Sequence, residues 1–272
     1  MPHPQHLGRY TVKSIISHGA NNTLYKAFDP KDERFVSIKT ISLEKLNSPA
    51  KKQLIASLIW EHRTTIDLDH PNIVKYYELV NDGGIPSIVM EYLSNKTLKY
   101  WLENSPQFSV NQGLEILKQL LCALDHIHKY RITHRDIKPG NIFYSDNGQI
   151  KITDFGISYP IGKIPAQIDY VQGTPAYMSP EQIICSQNSQ HTDIFSAGVI
   201  LYELLCGQKP FYGAEQKSII QQILTKQPTT PSKINTDIPK TLSSIMLKAL
   251  AKKPGERFES AAEFGRALSA CL

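Results

Sequence analysis

The densest group of chemically capable side chains is His134-Arg135-Asp136-Ile137-Lys138-Pro139-Gly140-Asn141. Within six residues it sets a carboxylate (Asp136), an ammonium (Lys138) and a carboxamide (Asn141). Eighteen residues after Asp136 stands Asp154-Phe155-Gly156, a second carboxylate before a glycine that can take positive φ. A carboxylate and an amide oxygen that converge can hold Mg²⁺, which takes one or two protein oxygens and completes its shell with phosphate oxygens. The other carboxylate is then free to orient a hydroxyl nucleophile. Taken alone, Asp-Phe-Gly is also an ordinary turn sequence. His134 reads as a packing residue behind that turn, not as a proton carrier.

These groups need a scaffold, and the chain of 272 residues is long enough to supply one large domain or two small lobes. Hydrophobic residues at 41% and charged residues at 20% exclude a disordered chain. Thirty basic against twenty-five acidic side chains leave +5, with no Lys/Arg run longer than two. That balance permits a phosphate-bearing partner and argues against a nucleic-acid binder. Cys122, Cys185, Cys206 and Cys271 form no Cys-x-x-Cys pair, which argues against a zinc site or disulfide framework and fits a reducing compartment. The N-terminal Met-Pro-His-Pro-Gln-His has no apolar core for a signal peptide. The best membrane candidate, 197–206, contains Glu203 and is far short of the ~20 apolar residues of a span.

The first ninety residues read mainly as strands: 10–17, 23–28, 34–41, 74–80 and 87–92. The last two flank Asn81-Asp82-Gly83-Gly84, a hairpin turn, and a helical pattern covers 49–68. After Ser94 the balance reverses. Residues 114–130 form an amphipathic helix, and 194–206 are apolar almost all round, which predicts a buried central helix. Further helices are expected at 218–224, 242–251 and 260–268, with short strands near 142–145 and 150–153. The pattern predicts an α+β protein with a small strand-rich lobe and a larger helical one.

With motifs and elements together, nearly the whole chain resembles the eukaryotic-like serine/threonine protein kinases, most closely the bacterial members. The resemblance implies a two-lobed kinase fold in a single domain over 1–272, with an N-lobe to about 93, a hinge near 91–95 and a C-lobe from about 96. Val36-Ser37-Ile38-Lys39 is similar to the third-strand motif, so Lys39 would hold the α- and β-phosphates of ATP and Glu61 would pair with it. Asp136 resembles the catalytic base and Lys138 the ammonium beside the transferred phosphate. Asn141 and Asp154 resemble the ligands of Mg²⁺, for which Mn²⁺ is an alternative. Met90 resembles the residue beside the adenine pocket; the backbone of Glu91 and Leu93 would face the adenine edge, and Leu24 and Phe143 would enclose the base. Gly173-Thr174-Pro175 and Ser179-Pro180-Glu181 match the end of the activation segment, and Arg257 the arginine that pairs with Glu181. Lys138, two residues after Asp136, fits Ser/Thr rather than tyrosine kinases. The chain ends with the last helix of the lobe, which implies a free-standing cytoplasmic enzyme without a membrane span, delivery into a host cell being left open.

The pattern departs from the family at the glycine-rich loop. G-x-G-x-x-G lies over Ser17-His18-Gly19-Ala20-Asn21-Asn22, so only the middle glycine remains, and Ser37 replaces the usual alanine. Ser17, Gly19, Asn22 and Ser37 are therefore expected to tune nucleotide affinity, since every charged catalytic position is intact. Two other classes stay in view: a pseudokinase or scaffold, which the altered loop favours, and a small-molecule phosphotransferase, which the Gly-Thr-Pro and Pro-Glu stretch disfavours. Arg135 resembles the arginine that pairs with a phosphorylated activation segment. Residues 167–172 hold no Ser or Thr, so Asp169 is expected to pair with it, or an activating protein partner to supply the order. The implied substrate is a protein with a Ser or Thr acceptor.

Overall fold

The structure, a computed structural model, describes residues 4–19, 22–41, 48–105, 107–155, 159–160, 175–184 and 189–271. The chain divides into two compact units, one of Met1–Ser94 with Phe155–Ile157, the other of Asn95–Asp154 with Ser158–Leu272.

The first unit is an antiparallel sheet with one helix. Its strands are β1 (His6–Leu7), β2 (Tyr10–His18), β3 (Asn22–Asp29), β4 (Arg34–Ile41), β5 (Tyr76–Asp82) and β6 (Ile85–Glu91), in the order β1-β2-β3-β4-β6-β5. Register assigns the faces, because directly paired residues point to the same side. Leu24 pairs with Lys39, Lys26 with Ser37, and Ser37 with Met90, so Leu24, Ser37, Lys39 and Met90 share one face. Tyr25, Ala27, Val36, Ile38 and Val89 take the other, where they bury with Tyr10 and Val12 as a core. Gly83 and Gly84, at φ 57 and 82, make the two-residue β5–β6 turn that the sequence announces.

Helix α1 (Ser48–Thr65) packs against β5 and β6. It stops three residues short of the expected Leu68. Thr64 and Thr65 turn their hydroxyls back onto the carbonyls of Trp60 and Glu61. Such bonds compete with the helical ladder and mark its end.

The second unit contains β7 (Lys96–Thr97), α2 (Leu98–Asn104), α3 (Val110–Lys129), β8 (Ile132–Thr133), β9 (Ile142–Tyr144), β10 (Ile150–Ile152) and β11 (Tyr159–Pro160). It continues with α4 (Pro180–Ile183), α5 (Gln190–Cys206), α6 (Gln216–Thr225), α7 (Pro231–Ile234), α8 (Lys240–Ala249) and α9 (Ala261–Ser269). Helix α3 starts four residues before the periodic stretch, because Ser109 and Gln112 cap each other reciprocally. Helix α5 is buried nearly throughout, as its composition requires. At Gly198 a Cβ would stand 2.9 Å from the Cβ of Ala249, so α5 and α8 meet without room for a methyl group. The unanticipated α2 buries only Leu98 and therefore carries no apolar period; Thr97 caps it. Among the described residues, no helix is long and apolar enough to cross a membrane.

Candidate active site

In the sheet unit the chemistry gathers at one buried carboxylate. The ammonium of Lys39 donates to Glu61 Oε1 at 3.1 Å and to Oε2 at 2.8 Å. Glu61 is 1% exposed, and a charge so far from water must be paired and hydrogen-bonded. A third donor is the hydroxyl of Tyr76, 3.1 Å from Oε1. A bulge lies behind this: Tyr76 pairs with Met90 but Glu78 pairs with Val89, so Tyr77 is the extra residue. The Tyr76 ring also meets Phe155 edge-on, with centroids 6.2 Å apart. Tyr76 was not legible as a site residue; a tyrosine opening a strand reads as packing.

Five of the residues expected to bind nucleotide, Ser17, Asn22, Leu24, Ser37 and Met90, fall on the Lys39 face of the sheet, while Glu91 pairs with Val36 of the other face. Leu24, Ser37 and Met90 lie there by register, and Ser17, paired with Leu24, joins them. Asn22 stands two residues from Leu24 on the same strand. The Gly19 N–H donates to the Asn22 carbonyl at 2.8 Å, and the Asn22 side-chain oxygen lies 2.5 Å from where a Cβ on Gly19 would stand. The space freed by the one remaining glycine is thus filled by the residue that replaces the third. At the end of β6, the Glu91 N–H donates to the Lys75 carbonyl at 2.8 Å. Lys26 lies over the rings of Phe35 and Tyr92, 4.3 and 4.4 Å from their centres, which ties the residue before Leu93 to β3 and β4.

In the helical unit, Lys138 donates to Asp136 Oδ2 at 2.7 Å. A short 3₁₀ turn over Pro139–Asn141 brings Asn141 back, so its Nδ2 donates to the Asp136 carbonyl and to Oδ2, both at 2.9 Å. Asp136 Oδ1 and Asn141 Oδ1 have no protein partner among the described residues. The Asn141 carbonyl accepts from the Thr153 N–H at 3.0 Å, which sets Asp154 beside it. Asp154 and Arg135 sit at φ 69 and 71, conformations that non-glycine residues hold only when their surroundings over-determine them. Phe143 is half-buried in β9, opposite Thr97.

His134 supplies part of that determination. Its Nδ1 accepts from the Asp136 N–H at 3.3 Å, and its Nε2 lies 3.2 Å from the Thr153 carbonyl. One ring thus braces the segments carrying both carboxylates, and this arrangement requires the neutral tautomer protonated on Nε2. Beneath it, Asp193 in the first turn of α5 accepts from the N–H groups of His134 and Arg135, at 2.9 and 2.8 Å, and from His128 Nε2 at 2.8 Å. Burial alone would raise the Asp193 carboxyl; its hydrogen bonds outweigh that and hold it below the ordinary carboxylate range. His128 escaped sequence reading, since one histidine in the last turn of a helix has no motif. Glu181 and Arg257 form the implied bidentate pair at 2.7 and 2.8 Å. Gly156, Asp169, Gly173 and Thr174 lie outside the described residues, and with them the expected Asp169–Arg135 pair.

An oxygen-only donor set fits Mg²⁺: the Asp154 carboxylate and the Asn141 side-chain carbonyl, whose amide hydrogens are both committed to Asp136.

Residues 10–265, from β2 into α9, match the family described as the protein kinase domain. Among curated relatives, serine/threonine-protein kinase PrkC of Bacillus subtilis is 35% identical over 255 residues, covering 93% of this chain and 39% of that protein. Serine/threonine-protein kinase PknB of Mycolicibacterium smegmatis is 33% identical over 271 residues, covering 97% of this chain and 43% of that protein. PknA of Mycobacterium tuberculosis is 31% identical over 269 residues, covering 97% and 61%. The chain spans about two fifths of the length of the first two of these relatives. With the matched model covering most of its length, the chain belongs to the protein kinase domain family.

Proposed function

We propose that this chain transfers the γ-phosphate of ATP to Ser or Thr hydroxyls of protein substrates, its own included. The observation that carries this is the state of Asp136. Lys138 and Asn141 engage one carboxylate oxygen, while the other is free of protein partners among the described residues, on a side chain 26% exposed. Such a carboxylate can accept the hydrogen bond of an incoming hydroxyl and fix its angle of attack. In the reaction the hydroxyl oxygen forms a bond to the γ-phosphorus and the bond from that phosphorus to the ADP oxygen breaks. The hydroxyl proton passes towards Asp136, and Lys138 offsets charge on the moving phosphoryl group.

Lys39, steered by Glu61, is assigned to the α- and β-phosphates. Ser17, Gly19, Asn22, Leu24, Ser37, Met90, Glu91, Leu93 and Phe143 are assigned to the nucleotide. Asn141 and Asp154 would hold Mg²⁺, or Mn²⁺ in its place, which when bound neutralises and orients phosphate oxygens. The reading treats 1–272 as one catalytic domain hinged near 91–95 and acting in the cytoplasm. Its segment order comes from Asp169 or from an activating protein.

The test is incubation with labelled ATP, Mg²⁺ and a generic protein acceptor, with phosphosites mapped by mass spectrometry. Asp136→Asn should lower transfer by about 10²–10⁴-fold while nucleotide binding persists. Undiminished transfer would remove Asp136 from its role. A wild-type chain that binds ATP but phosphorylates nothing would make it a scaffold.

A further inference from the structure

We infer that Tyr76 is a positioning residue for phosphoryl transfer: its hydroxyl fixes the Glu61 carboxylate, and through it Lys39, while its ring ties that ion pair to Phe155. The inference rests on the kinase reading for its effect on transfer, and on geometry alone for the coupling itself. Three elements converge on one carboxylate: β4 brings Lys39, α1 brings Glu61 and β5 brings Tyr76. An ammonium on a four-carbon stem is a compact charge with rotatable donors, so by itself it leaves the carboxylate free to turn. A buried phenol at the start of an edge strand has one donor direction. With Lys39 on both oxygens and Tyr76 on Oε1, the carboxylate plane is set. Each of these bonds has a charged partner and lies away from water, where such bonds are strongest.

The ring adds a second link. Its edge-to-face contact with Phe155, at an interplanar angle of 81°, places the residue after Asp154 against the side chain that holds Glu61. Displacing either Phe155 or α1 disturbs the same tyrosine. An aliphatic residue at position 76 would fill the space and hold neither bond. The ion pair is therefore kept formed by an unmodified side chain of the sheet.

The test is a double-mutant cycle. Tyr76→Phe keeps the ring and removes only the donor, and should lower kcat/KM and affinity for Mg-ATP about tenfold and the unfolding midpoint by about 2–4 °C, the worth of a buried hydrogen bond to a charged group. In a Glu61→Leu background the same substitution should change Mg-ATP affinity and unfolding midpoint by less than about twofold and a degree respectively, since its target is gone. Equal losses in both backgrounds, or no loss in the native one, would overturn the inference. The unfolding half of the cycle needs no catalysis. If the wild-type chain transfers no phosphate the functional reading fails, while coupling between Tyr76 and Glu61 still decides this one.

Discussion

Glu61 and Asp193 are both buried carboxylates, and they are held in opposite ways. Asp193 accepts from two backbone N–H groups and from a histidine that is itself buried. Those donors move only if the chain around residues 134–135 moves. Glu61 is held by the tips of two side chains, Lys39 and Tyr76, on different strands. Glu181 resembles Asp193: a planar guanidinium grips it by both nitrogens, and Arg257 is pinned in turn by the carbonyls of Ala251, His191 and Lys252. Asp193 and Glu181 are thus fixed through backbone donors and a planar fork, as is Asp29 in the sheet unit by the Arg9 guanidinium and the Lys31 N–H, whereas Glu61 is fixed through single rotatable groups.

The contrast makes its largest demand at Arg257. Arg257→Ala strands a buried carboxylate and should cost about 3–5 kcal/mol of stability by denaturant titration. A loss no greater than that of Glu61→Gln would break the comparison. Next comes acid. Burial would raise Glu181 and Asp193, but Arg257 in one case and the His128 and backbone donors in the other hold both below the usual carboxylate range. Their unfolded values are the ordinary ones, so the stability they confer is complete above about pH 4–5 and drains away as pH falls through the lower folded values. The urea midpoint should therefore drop over that acid window, and Asp193→Asn should flatten the drop. The smallest effect belongs to the sheet unit. Asn22→Gly removes the side chain that lies on Gly19 but leaves the backbone bond between them, so KM for ATP should change by less than about threefold. A larger rise would mean the carboxamide itself meets the phosphates.

Asp136, Lys138, Asn141 and Asp154 announce themselves because charged and amide groups at close spacing have few structural uses. Strand runs and the Gly83-Gly84 turn were readable because period-two burial and positive φ leave marks on composition. Tyr76 and His128 left none. Each is an ordinary residue made specific by a partner 15 or 65 positions away, a distance no local pattern encodes. Helix α2 stayed hidden because one buried residue sets no period, and α1 was overrun because nothing in a Thr-Thr pair says which way its hydroxyls turn.

The Asp193 bonds also set an order of events during synthesis. Asp136 leaves the ribosome 193 − 136 = 57 residues before the carboxylate that holds its neighbours in place. At about 5–20 residues per second that interval is roughly three to eleven seconds, during which the segment around His134 and Arg135 has no anchor. Arg257 follows later still, 76 residues behind Glu181. A nascent chain therefore carries Asp136 long before the segment beside it is anchored, and both anchors are in place only once α5 and then Arg257 have emerged.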